Sequence, residues 1–299
     1  MKKTFSILLA LTLLLFSGCA KQGATTVTDE AQPITYQIYC AAPQSALANE
    51  SATEQTIFLD ASQINLYATT TEMIQVEGDQ ADSKKVVIAN ESFDTTKIRI
   101  KKTSYSTSQN KKLQSFGCRE VYATADGKIE FTFRQNSDQL IGFLAYDRNG
   151  YDGNISKEDA RKCADQFLIQ IYGENAAKTY THVIESRDSR FTHYKFYYCK
   201  AINGIPTTDR IAIGINMQGE LYSINANNYG ILDAFDTKIT EKQVSAAEAA
   251  LMAAISPSYQ IKEHGLAIDP VSGICYLSIV ACRETENGTV SEQFYINVN

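Results

Sequence analysis

ISKEDARKCADQFLIQIYG (155–173) carries Ala160, Cys163, Ala164, Phe167, Leu168, Ile171 and Tyr172 at i, i+3, i+4, i+7, i+8, i+11 and i+12. That spacing is one unbroken apolar stripe of an α-helix. Ser156 stands at the N-cap position with Asp159 at N3, and Gly173 marks the expected C-terminal stop. Short alternating segments follow: HVIES, FTHYKFYY, a turn at Asn203-Gly204, RIAIGI, a turn at Gln218-Gly219, and ELYSIN. Ile211, Ile213 and Ile215 share one face, as period-two alternation requires of a half-buried strand. The reading is a helix followed by antiparallel strands.

The same pattern returns 84 residues later in ITEKQVSAAEAALMAAI (239–255). Ile155-Ser156 corresponds to Ile239-Thr240, Asp159 to Gln243, and Phe167-Leu168 to Leu251-Met252. Thr240-x-x-Gln243 is a capping box. YKFYYCKAING (194–204) parallels YLSIVACRETENG (276–288), and IAIGIN parallels the terminal FYINVN. Two copies are therefore expected, 154–237 and a truncated 238–299, each a helix packed on an antiparallel sheet. Phe167, Leu168, Leu251 and Met252 are placed in their cores.

Upstream, residues 51–153 read as a separate strand-rich domain, giving an α+β protein overall. KKVVIA, TKIRIKKTSYS, REVYATA, KIEFTFRQ and LIGFLAYD succeed one another with turn residues between them, and Asp126-Gly127 is a two-residue hairpin signal. Residues 1–18 join Lys2 and Lys3 to an apolar run from Phe5 to Phe16 and end in Ser17-Gly18, directly before Cys19. The run is too short to span a bilayer and reads as an export signal. It resembles a bacterial lipoprotein signal, which implies cleavage before Cys19, acylation of that cysteine and a lipid anchor on the extracytoplasmic face of the cell membrane. Residues 19–50 are poor in large apolar side chains and read as a flexible tether, with TYQIYC (35–40) a short strand or a patch docked on the body.

The repeat, through ISKEDARKCADQFL and YKFYYCKAINGIPTTDRIAIGINMQGELYSI, resembles the PepSY-type domain over roughly residues 154–299. The likeness is to the tandem version in YcdB/YcdC-like extracytoplasmic proteins of Gram-positive bacteria. Related domains in the propeptides of secreted metallopeptidases act as inhibitors and folding aids. The resemblance thus implies a non-catalytic module that binds a protein or peptide or modulates a peptidase, with a secreted or envelope partner. A small-ligand receptor, or an enzyme whose site is assembled from distant loops, is the alternative.

Composition narrows the chemistry. A net charge of -6 argues against a nucleic-acid partner, because neutralising phosphates needs a basic face. Lys101-Lys102 and Lys111-Lys112 are short pairs in polar, exposed-looking segments. With Cys19 lipidated, Cys40, Cys118, Cys163, Cys199, Cys275 and Cys282 permit up to three disulfides in fifteen complete pairings, none of which the sequence selects. There is no GxSxG, HExxH, SxxK or P-loop, so no catalytic residue and no cofactor is expected. No metal is expected either, although two places have some of the needed residues. A hairpin turning at Arg187-Asp188 would set His182 opposite His193, and Asp147, Asp152 and Asp159 lie around a segment with calcium-loop character.

Overall fold

The computed structural model describes residues 36–41, 56–64, 66, 68–78, 81–88, 90–148, 153–186, 193–235, 239–255, 257–269, 272–286 and 288–298. The export signal, Cys19, most of the tether, Asp152 and the Arg187-Asp188 turn lie outside them. In chain order the elements are β1 (Tyr36–Cys40), β2 (Thr56–Asp60), β3 (Thr70–Gln75), β4 (Ser83–Ile88), β5 (Glu91–Thr103), the single turn α1 (Lys111–Gln114), β6 (Cys118–Thr124), β7 (Ile129–Arg134) and β8 (Leu140–Ala145). Helix α2 (Lys157–Thr179), β9 (His182–Ser186), β10 (His193–Ile202), β11 (Ile205–Asn216) and β12 (Leu221–Asn225) follow. Helix α3 (Glu241–Ala254), β13 (Gln260–Ile268), β14 (Cys275–Thr285) and β15 (Gly288–Asn297) complete the chain. No helix among the described residues is long and apolar enough to cross a membrane.

These strands form one mixed sheet of 15 strands, which corrects the expectation of an N-terminal domain and two separate helix-on-sheet units. Strand β8 pairs antiparallel with β12 through Leu144 and Ser223, Phe143 and Ile224, and Gly142 and Asn225. The sheet therefore runs straight through the expected boundary at 153/154. The reason lies in the apolar faces. Phe131 and Phe143 on β7 and β8 have no helix of their own to cover them, and they share a core with Phe196, Ile213 and Leu168 beneath α2. Burying those rings against a neighbour is worth about 1.5–3 kcal/mol each, which favours one shared layer over two half-covered ones. A parallel bridge between Thr207 and Leu266 continues the sheet into β13, β14 and β15, whose core of Leu251, Leu277 and Phe294 lies under α3. Strand β1, from the stretch read as tether, sits between β2 and β15 with Ile38 and Cys40 buried.

Local signals play out as the side-chain chemistry dictates. Asp159 N–H donates to Ser156 Oγ at 3.1 Å, and Thr240 and Gln243 form a reciprocal capping box. The hairpin at Asp126-Gly127 joins β6 to β7, and Asn203-Gly204 joins β10 to β11. Gly173, with φ 82° and ψ 167°, leaves helical geometry and ends the first segment of α2 as expected; a second helical segment follows across this kink to Thr179 and buries Ala176. The stripe of α3 is Val244, Ala247, Leu251 and Ala254, so Met252, expected in the core, is 39% exposed. Helix α2 is followed by the antiparallel run β9–β10–β11, and α3 by the antiparallel run β13–β14–β15.

Candidate functional site

The face of the sheet opposite α2 carries a groove of about 710 Å³. Its floor follows from strand register, since residues directly opposite one another share a face. Reading across the strands, Thr132 lies opposite Gly142, Gly142 opposite Asn225, Asn225 opposite Ala212, and Ala212 opposite Tyr197. One step along, Glu130, Leu144, Ser223, Gly214 and Lys195 make a second such row. The middle of both rows is built mainly of small residues. An added Cβ at Gly214 would stand 2.3 Å from Ser223 Oγ, and one at Gly142 would stand 3.0 Å from Thr132 Cβ, so the floor is closed by close approach.

Long cationic and aromatic side chains form the walls. On one side Arg99 and Lys101 alternate along β5, and Lys101 stands directly opposite Arg119 on β6. On the other side stand Lys195, Tyr197 and, from β12, Tyr222, whose ring lies 4.6 Å from that of His193. A smaller cavity of about 160 Å³ shares Arg119, Tyr197 and Asn225 with the groove and adds Arg210. Tyr197 is flanked by the Lys195 ammonium at 5.5 Å and the Arg210 guanidinium at 4.7 Å from its ring centroid, two cation–π contacts that order this wall.

The charge balance of this face is the reverse of the chain's. Five cations line the two cavities against one carboxylate, Glu130, which Arg99 holds at 2.5 Å, whereas the whole chain is at -6. Burial, then the neighbouring Arg99, pulls the Lys101 ammonium below its ordinary pKa, and Glu130 only partly opposes this. Burial likewise lowers Arg119, and burial followed by Lys195 lowers His193. The Nε atoms of Arg99 and Arg119 are buried with no hydrogen-bond partner among the described residues.

The residues singled out in the sequence do not converge here. His182 lies opposite Cys199 on β10 and His193 opposite Asn216 on β11, so the expected facing pair of imidazoles is not formed. The connection between β9 and β10 is longer than a two-residue turn, which shifts the register by six residues. Asp147 is exposed in a single 3-10 turn, and Asp159 is occupied by Ser156 and Lys162 at the start of α2. No group of three His, Cys, Asp or Glu among the described residues is placed to hold a metal. Cys118, Cys163, Cys199 and Cys282 carry free thiols.

What the sequence reading missed is the alternation in TKIRIKKT, which puts Arg99 and Lys101 on one face of a strand. It also missed Asp209, which is fully buried beneath a second cleft of about 490 Å³. Its carboxylate accepts from Tyr180 Oη at 2.7 Å, Gly230 N at 2.8 Å and Leu232 N at 3.0 Å, tying the end of α2 to β11 and the 231–234 turn. Burial raises its pKa despite these donors.

Residues 103–228 match the sequence profile of the YcdB, YcdC repeated domain. The chain therefore carries a domain of this type over that span, from the end of β5 through β12, which includes α2, the groove floor, Arg119 and the second wall but neither Arg99 nor Lys101. The match begins about fifty residues before the 154–299 span of the resemblance, taking in β6, β7 and β8 of the same sheet, and stops at 228, so the expected second copy at 238–299 lies outside it. No curated protein matches the chain.

Proposed function

We propose that the protein is a non-catalytic binding module, held on the extracytoplasmic face of the cell membrane through a lipid on Cys19, that receives a segment of a protein or peptide partner in the groove. The observation that carries this reading is the construction of the groove, a floor of small residues between two walls of half-buried cations and tyrosines. Such a surface is shaped to seat something, and its polar groups converge on the space above the floor. Its one carboxylate is already engaged by Arg99, and its histidine packs at a tilt against the ring of Tyr222. These features support recognition as the role of the groove. The matching order of elements after α2 and α3, each behind a capped helix start, supports an internal duplication embedded in one sheet. The resemblance to peptidase propeptide domains makes a secreted peptidase one class of partner.

A photo-cross-linking amino acid placed at Tyr222 tests the reading in the cells that make the protein. It should give a discrete adduct that the same group at exposed Lys242, on the first turn of α3, does not. Absence of an adduct at Tyr222, or identical adducts at both sites, would refute the groove as the binding site. Cys19→Ala should release the protein from the membrane fraction; an unchanged distribution would refute the anchor.

A further inference from the structure

Half-buried cations without counter-charges cost a protein stability. Each loses hydration, and like charges directly opposite on a sheet repel. The groove holds several such arrangements. Lys101 faces Arg119 and adjoins Arg99, and Arg119 has no ion-pair partner among the described residues. Lys195 and Arg210 lie on either side of Tyr197 across the floor. Along the sheet β6 is followed by β7, β8, β12, β11 and β10. Five strand steps of about 4.8 Å separate β6 from β10 along the sheet, while the side chains reach over the floor, so that Arg119 meets Tyr197 and Arg210 around the smaller cavity.

We propose that the groove binds an extended acidic peptide segment, with carboxylates near both ends meeting the two walls; this rests on the groove being the binding site. The spread of the cations selects the class of ligand. They lie along the face from β5 to β10, so a chain carrying several carboxylates meets more of them than a single phosphate or small dicarboxylate does, and about seven extended residues follow the five strand steps. The floor agrees, since Gly142, Gly214, Ala212 and Ser223 have small side chains or none and make a low, closed surface on which a main chain can lie across the strands. The backbone groups of the floor strands are committed to their own ladders, so recognition falls to side chains and not to strand addition. Guanidinium forks take carboxylates with two parallel hydrogen bonds, which suits Arg119. Tyr197, Tyr222 and Met73 offer ring and thioether contacts between the charges, for which a phosphate polymer has no use.

The test is fluorescence anisotropy on the purified protein with a labelled seven-residue peptide bearing two glutamates at each end and neutral residues between. A glutamine analogue and inorganic tripolyphosphate serve as the comparison ligands. The glutamate peptide should bind at least about tenfold tighter than the glutamine analogue, the loss expected when a charge-assisted contact is removed. Lys101→Glu and Lys195→Glu should each weaken it by a similar factor. Lys242→Glu, outside the groove, should leave it unchanged, and thermal melts establish that each variant is folded. Equal binding of the glutamine analogue, equal or tighter binding of tripolyphosphate, or an equal effect of Lys242→Glu would overturn the proposal. If the glutamate peptide fails while the Tyr222 adduct still forms, the acidic ligand is wrong and the groove stands. If both fail, the groove itself is wrong.

Discussion

Lys101→Met should make the protein more stable, which separates a charge kept for binding from one that supports the fold. Methionine keeps the apolar stem of the side chain and removes only the ammonium. That ammonium stands opposite Arg119 and beside Arg99, with Glu130 already engaged by Arg99. Directly opposed like charges cost about 0.2–1 kcal/mol. Lys101 is half-buried, so solvent screening discounts the larger figures, and a gain of about 0.5 kcal/mol is the expectation. In a chain of this size that is a rise of about 1–2 °C in Tm. Urea denaturation followed by circular dichroism at low ionic strength measures it, and about 0.5 M salt should shrink the gain. The pH dependence has a fixed sign. Because the folded pKa of Lys101 is lowered, the unfolded chain holds more protons between that value and about 10.5. Wild-type stability therefore rises with pH through that window, and the advantage of the methionine variant disappears above it. A loss of about 1 kcal/mol or more in the variant, or a gain indifferent to salt, would refute the reasoning.

Other expectations follow from burial and hydrogen bonding. Phe131→Ala should cost about 3–5 kcal/mol, because the ring is wholly buried among Phe93, Phe143 and their neighbours, whereas Met252→Ala should change the urea midpoint little. Gly214→Ala should destabilise by about 1–3 kcal/mol through its contact with Ser223 Oγ, and Ser223→Ala in the same chain should recover much of the loss in a double-mutant cycle. Asp209→Ala should cost about 2–3 kcal/mol at mildly acidic pH by stranding the Tyr180, Gly230 and Leu232 donors. Since the folded pKa of Asp209 is raised, the native state holds the extra proton, so wild-type stability falls as pH rises from about 4 through that pKa. Melting the two proteins side by side should show the gap narrowing over that range.

Features written in neighbouring residues were legible in the sequence. The caps at Ser156 and Thr240, the apolar stripe of α2 and the Asp126-Gly127 and Asn203-Gly204 turns depend on side chains within a few positions of one another. Pairings between distant strands were not legible. Nothing local in LIGFLAYD says that Phe143 will lie opposite Ile224, or that Tyr36–Cys40 will insert between β2 and β15. The His182–His193 pairing failed for a related reason, since register is set by the length of the connection and a strand alternates equally well in any even shift. The groove was hidden because its walls come from β5, β6, β10 and β11, each contributing one or two cations that look like ordinary solvated charges. Only the register of seven successive strands puts them around one floor.

The central claim is that this cationic face is where the protein meets its ligand. Quantitative lysine acylation read by mass spectrometry, with and without the glutamate-ended peptide, tests it residue by residue in the intact chain. The account predicts that Lys101 and Lys195 become protected when the peptide is present while Lys162 and Lys242, both exposed and outside the groove, react as before. Protection spread evenly over all four lysines, or confined to Lys162 and Lys242, would contradict it.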